Sequence, residues 1–201
     1  MNSPLIKRAT HRPAKGQAFI HDITLLPARA HEFCGPSRRS LALMLAARME
    51  GPVYWIVSHW ETDQLHAPGV TQFINPSRIR FVRPKRLEDL LWCTEEVLRA
   101  GCIPLVITEL PEPPPLTPVR RLHLAAENAE HTGQAPLSIL LTTGNGGAQG
   151  IESRWHMTPK HRIDQIEWRL TRRRARMAPE ASFDVTWADG AAHLVKQAIS
   201  A

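Results

Sequence analysis

An α/β fold with a mostly parallel central sheet flanked by helices is predicted from three features of the chain. Short strand-like runs at Val53–Val57, Arg78–Val82, Cys102–Thr108 and Leu137–Thr142 alternate with segments whose apolar residues recur at helical spacing. Val53-Tyr-Trp-Ile-Val57 is apolar on both alternating faces, the pattern of a strand covered on two sides. A Gly35-Pro36 turn opens directly into an apolar helix, the place that a phosphate loop takes in nucleotide-binding folds.

Taken in order, residues 1–18 mix Pro, Lys, Arg and Thr without apolar periodicity and are expected to form a flexible basic arm, with 19–201 a single domain. Ile20–Ala30 is a short apolar patch leading to the Gly-Pro turn. Ser37 can cap a helix that carries Leu41, Met44 and Leu45 on one face. A polar segment, Ser58–His66, then leads through Ala67-Pro-Gly-Val70 to the second strand. Leu87, Leu90, Leu91, Thr94, Val97 and Leu98 mark the next helix face, closed by Gly101 at the C-terminal cap. Trp55 and Trp92 lie on apolar patterns and are expected in the core.

After the proline-rich linker Pro111–Pro118, with Thr117 as cap and Pro118 at the first helical position, a helix to about His131 turns Leu122, Ala125, Ala126 and Ala129 inward. Gly144-Asn-Gly-Gly-Ala-Gln-Gly150 is expected to be a flexible break. Beyond it, Glu152–Met157, Ile166–Arg174 and Phe183–Trp187 predict an antiparallel C-terminal strand extension over about 151–187, followed by a terminal helix, Ala191–Ile199, within about 190–200.

The chain has 201 residues, 43% of them apolar, enough for one well-filled core. No apolar run approaches the roughly 18 residues that span a bilayer, and no apolar secretory segment stands at the N-terminus, so a cytoplasmic protein without membrane contact is expected. Three cysteines, Cys34, Cys93 and Cys102, form no C-x-x-C pair and predict buried or incidental thiols. A net charge of +6 favours polyanionic partners. The basic residues gather at Lys7–Lys15, at Arg38-Arg39 and above all at Arg169–Arg176.

Gly35, Pro36, Ser37, Arg38, Arg39 and Ser40 occupy the phosphate-loop position but fit G-x-x-x-x-G-K-S/T in neither register. Counted from Gly35, Ser40, Leu41 and Ala42 replace Gly, Lys and the hydroxyl residue; counted back from Ser40, Arg39 stands at the Lys. Two arginines at a helix N-terminus oppose the helix dipole unless an anion, an acidic neighbour or water compensates. The position is that of a degenerate nucleotide site, and no catalytic residue, metal or resident cofactor is assigned, ATP and magnesium being doubtful.

Arg169, Arg172, Arg173, Arg174 and Arg176 support two readings: a nucleic-acid or partner surface, or a sheet edge whose charges discourage pairing. In a regular strand Arg172 and Arg174 face one side while Arg169 and Arg173 face the other. His123, Glu127 and His131 stand at i, i+4 and i+8, either a metal-binding pair or a solvated helix face.

Several stretches together resemble the ImuA proteins, RecA-like accessory members of bacterial mutagenesis cassettes. They are His31-Glu-Phe-Cys-Gly35, Tyr54-Trp-Ile56, Leu65-His-Ala-Pro-Gly69, Asp89-Leu-Leu-Trp-Cys-Thr-Glu-Glu-Val-Leu-Arg99, Arg120-Arg-Leu-His-Leu-Ala-Ala-Glu127 and Trp168-Arg-Leu-Thr-Arg-Arg-Arg174. The resemblance implies a RecA-like core and a role in SOS-induced translesion synthesis. Its implied partners are an ImuB-like protein, an error-prone replicative-type DNA polymerase, RecA and single-stranded DNA, with the chain a monomer or part of a heteromer. It also places the water-activating acid of RecA at His59 or Trp60 and the magnesium-holding acid at Thr108-Glu109. Without a loop lysine or a clear base, the hydrolytic set is incomplete. Two alternatives remain: a DNA-dependent ATPase in which Arg39 replaces the lysine and Glu109 holds magnesium, and a cell-division inhibitor of the SulA type.

Overall fold

The computed structural model describes residues 16–130, 135–163, 165–176 and 178–195. Among the described residues four α-helices, one 3-10 turn (Pro76–Arg78) and eleven strands follow one another. The sequence opens with the hairpin β1 (Gln17–Ile20) and β2 (Ile23–Leu25). The first core strand, β3 (Ala30–Cys34), leads through the Gly35-Pro36 turn into α1 (Arg38–Ala47) and β4 (Val53–Ile56). A single turn, α2 (Ala67–Val70), precedes β5 (Ile79–Val82). Two longer helices follow: α3 (Glu88–Ala100), β6 (Leu105–Glu109), α4 (Leu116–Glu130) and β7 (Leu137–Thr142). Four strands complete the sheet, β8 (Ser153–Pro159), β9 (Glu167–Ala175), β10 (Ala181–Ala188) and β11 (Ala191–Val195).

The nine-stranded sheet runs β11-β10-β9-β8-β3-β7-β6-β4-β5. From β8 to β5 every pairing is parallel, and from β8 outward to β11 every pairing is antiparallel. One face packs under α1 and the β1–β2 hairpin, through Phe33, Leu41, Met44, Trp55 and Ile139 among others. The opposite face packs under α3 and α4, through Ile56, Leu90, Val106, Leu122 and Leu140. Both faces of the central strands are therefore covered, which is why β4 is apolar throughout and β7 is buried at every position, Ser138 and Thr142 included.

Several boundaries differ from expectation. Gln17 and Ala18 belong to β1 and not to the arm, of which residues 1–15 lie outside those described. Ala191–Val195 is a strand, because Asp189 and Gly190 both take positive φ (52° and 71°) and close a two-residue hairpin onto β10. The rest of the expected terminal helix lies outside the described residues. Ser37 stands at the cap of α1, but its side chain makes no capping bond, and α4 begins at Leu116, two residues before Pro118. Trp92 and Leu87 are 56% and 43% exposed: Leu90, Thr94, Glu95 and Leu98 form the buried side of α3, and Trp92 points away from it. Gly101 does close α3 in the left-handed region, φ 68°.

His31 on β3 ties the hairpin to the C-terminal strands. The Leu26 carbonyl can only accept, so His31 Nε2 carries the proton and donates to it at 3.0 Å, and Nδ1 accepts from Ser153 Oγ at 2.7 Å. Trp155 Nε1 donates to the same hydroxyl at 2.9 Å. Burial, opposed in part by the Leu26 bond, lowers the His31 pKa to about 4, and burial with Arg29 nearby does the same for His123. A depressed folded pKa means the unfolded chain binds the proton first, so stability is whole above the ordinary value near 6.5 and is lost as pH falls toward about 4. For His31 this loss is on the order of 3 kcal/mol. Urea denaturation across this range should show stability falling with acidity in the wild type and a flatter profile in His31→Gln; an unchanged slope in the variant would contradict this role.

Candidate functional site

The degenerate phosphate-loop position lies at the C-terminal end of β3, where β3 adjoins β7 and β8. Open α/β sheets bind ligands at such strand ends, and a phosphate loop does so by pointing backbone N–H groups at the anion. Here the turn is closed by the chain itself. Ser37 N–H donates to the Met157 carbonyl at 3.1 Å, and Arg38 N–H to the Gly35 carbonyl at 3.3 Å. Gly35 has φ 87°, and a Cβ built on it would meet the Met157 oxygen at 2.6 Å, so β8 presses directly on the turn. The Gly35 conformation and this close approach both require glycine. Pro36 is exposed, and Ser40 lines a 260 Å³ pocket with Leu43, Phe73, Trp168 and Trp187.

Arg39 turns away from the helix end to meet the end of β6. Its Nε donates to both Glu109 oxygens at 3.0 and 2.9 Å, and its Nη groups reach the Asp63 carboxylate at 2.6 Å and the Asp63 carbonyl at 2.8 Å. Trp55 Nε1 donates to Glu109 Oε1 at 2.7 Å. Burial alone would lower the Arg39 pKa, but the Glu109 and Asp63 carboxylates outweigh it and raise it. The acidic neighbours thus compensate the unfavourable placement of this arginine at a helix N-terminus. Among the described residues the Arg38 side chain donates to the Gly35 carbonyl alone, at 3.4 Å. His59 and Trp60 lie in the loop after β4, edge to face with each other, and Trp60 is exposed.

A second closure sits on the opposite face of the same strand ends. Glu32 is completely buried, and its carboxylate accepts from Thr142 Oγ1 at 2.7 Å, Gly147 N–H at 2.8 Å and Ala148 N–H at 3.1 Å. Arg154 pairs with its other oxygen and donates to the Ala148 carbonyl at 2.9 Å. The glycine segment 144–150 is consequently pinned and not a free break, with Gly146 at φ 70° and too close to Glu32 for any side chain. Next to it, burial and the Glu32 charge push the Cys34 thiol up to about 12, so this cysteine stays protonated.

The five C-terminal arginines do not form one patch. β9 lies between β8 and β10, so it is not a sheet edge, and the edge-protection reading fails. Arg172 and Arg174 pair with Trp155 and Arg154, consecutive residues of β8, so a bulge at Arg173 breaks the strict alternation. Arg169 is bound to Asp184, whose pKa is held down by Lys160 and Arg169 against the opposing effect of burial. Arg172 stacks over Trp155 and Phe183, the buried Arg173 Nε has no hydrogen-bond partner among the described residues, Arg174 is exposed, and Arg176 lies 3.6 Å from Glu152. Of the metal candidates, Glu127 pairs with Arg29, and His131 lies outside the described residues. Among the described residues no group of three or more His, Cys, Asp or Glu side chains could hold a metal ion, and no helix is long and apolar enough to cross a membrane.

The sequence points to Arg39 and Glu109 as members of one site, a lysine substitute and a metal-holding acid, but not to their direct pairing, nor to Asp63, Trp55 Nε1 and Glu32. A carboxylate beside His31 in a short run leading to the Gly35-Pro36 turn was the available signal for Glu32. The described residues thus form an α/β fold with a nine-stranded mixed sheet whose parallel strand ends carry ion pairs among the protein's own side chains. No protein-family model matches the chain, and a search of curated proteins finds no match.

Glu32→Gln keeps one oxygen for the Thr142, Gly147 and Ala148 donors but sets an amide NH2 against Arg154, which loses its buried counter-charge. Glu32→Gln should therefore lose about 3 kcal/mol in urea denaturation, and Thr142→Val about 1 kcal/mol. A Glu32→Gln protein as stable as wild type would contradict the account of this closure.

Proposed function

We propose that this chain is a RecA-like adaptor, non-catalytic or weakly catalytic, in SOS-induced error-prone translesion synthesis, acting with an ImuB-like protein and an error-prone replicative-type polymerase. The family pattern carried by the six stretches motivates the pathway. The observation that supports an adaptor over an enzyme is the use of the phosphate-loop groups within the protein, with Ser37 N–H on Met157 and Arg39 on Glu109 and Asp63. RecA-type hydrolysis uses a loop lysine, a metal-holding acid and a water-activating base. On this reading Glu109 is a partner of Arg39 and not a metal ligand. The parallel centre of the sheet accords with such a core, although fold likeness alone does not assign a function.

The DNA-dependent ATPase alternative draws on the same pair, since Arg39 and Glu109 do meet. It requires Arg39 to release both carboxylates before a nucleotide can enter, and its planar fork is a poor copy of lysine in a narrow loop.

Affinity purification of the natively expressed chain after DNA damage should recover an ImuB-like protein, and its repeated absence would overturn the adaptor reading. The purified protein should hydrolyse magnesium-ATP at background rate with or without single-stranded DNA. Hydrolysis that disappears in both Arg39→Ala and Glu109→Ala would establish the enzyme instead. Cell filamentation on overexpression would favour the SulA-type alternative.

A further inference from the structure

At the other end of β3 from the Gly35 turn, a cleft of about 460 Å³ opens between the β1–β2 hairpin and strands β8 to β10. Its size falls in the range of small-molecule sites. One wall is aromatic: the Trp155 and Phe183 rings lie 6.5 Å apart, and the Arg172 guanidinium stands over both, at 5.6 and 6.0 Å from their centroids. The polar floor is already satisfied. His31 and Ser153 bond each other, and Trp155 donates to Ser153, so these groups hold the wall in place and offer nothing to a ligand.

The charged groups facing the cleft are not equally committed. Asp22 is paired with His21, and Glu152 lies between Arg29 at 4.0 Å and Arg176 at 3.6 Å. Arg172 spends only its Nε, donating to the Pro179 carbonyl at 2.8 Å. Neither of its Nη groups has a hydrogen bond among the described residues, and no carboxylate pairs with it. A half-buried guanidinium held over aromatic rings presents a stacking face together with free donors, a combination suited to a planar ring that carries an anionic group. Arg176, four residues along the chain and on the same cleft, supplies a second cation for that anion.

We infer that this cleft binds a nucleoside monophosphate unit, its base stacked on the Arg172–Phe183 wall and its phosphate held by Arg172 and Arg176. The unit comes either as free nucleotide or as the 5′-phosphorylated end of a single strand. The assignment does not rest on the adaptor reading, since neither the Gly35 turn nor a protein partner enters it.

The test is equilibrium binding to the full chain of four probes: 5′-phosphorylated oligothymidylate, the same oligonucleotide without the phosphate, thymidine monophosphate and inorganic phosphate. Saturable binding of a phosphate-bearing thymidine probe is expected, weakened about tenfold by Arg172→Gln and by Arg176→Gln and changed less than about twofold by Arg174→Gln. Equal affinity for the free nucleotide and the phosphorylated strand identifies the free nucleotide as sufficient; tighter binding of the strand identifies the strand end. Urea midpoints of all variants guard against misfolding, and Arg176, exposed on the surface, gives a variant whose fold does not depend on stacking. The proposal is overturned by any of three results. These are no saturable binding up to about 1 mM, equal binding of the unphosphorylated strand or of inorganic phosphate, or an equal loss in Arg174→Gln.

Discussion

The buried carboxylate of Glu32 is the constraint around which the strand ends are arranged. A charge at this depth is tolerated only when paired and hydrogen-bonded, and Glu32 meets that condition by gathering Thr142 from β7, Arg154 from β8 and two N–H groups of the glycine segment. These partners lie more than a hundred residues along the chain from it. Satisfying one carboxylate therefore joins β3 to its neighbours on both sides and fixes the glycine loop between them. The neighbours of Glu32 on the same strand repeat the pattern. His31 reaches Leu26 and Ser153, Phe33 stacks on Phe19 at 5.2 Å, and Gly35 admits the Met157 carbonyl.

This arrangement bears directly on the adaptor reading. A phosphate loop needs unpaired N–H groups and an uncommitted cation at the end of its strand. The corresponding groups here are used internally, by Met157 on one side and by the Arg39, Glu109, Asp63 and Trp55 cluster on the other. The closure of β8 against β3 makes the turn a structural joint between the parallel centre and the antiparallel extension.

Much of the fold was legible in the chain because local periodicity and burial coincide. Strand β4 is apolar on both faces, β7 is mostly apolar, and α3 carries a helical stripe ended by a glycine, so tertiary context follows local preference. β3 was harder to see because His31 and Glu32 make it look polar, and their burial depends on residues far along the chain. The terminal hairpin was misread as a helix because Ala191, Leu194 and Val195 fit either period; the preceding Asp-Gly pair was the deciding signal. The same limit applies to the site. Arg39 and Glu109 could be singled out individually, but their mutual neutralisation through Asp63 and Trp55 exists only once the strands are in register. Strand alternation already divides the arginine run between two faces, and the bulge at Arg173, which the sequence does not announce, changes that division.

The central claim is that the strand-end turn is filled by the protein's own groups, and the most direct measurement is amide NMR of residues Gly35 to Ser40 during titration with magnesium-ATP. Resonances that stay in place at nucleotide concentrations of about 1 mM are the predicted result. Saturable shifts in the Ser37, Arg38 and Arg39 amides would mean that the Met157 bond yields to phosphate, and would contradict the account.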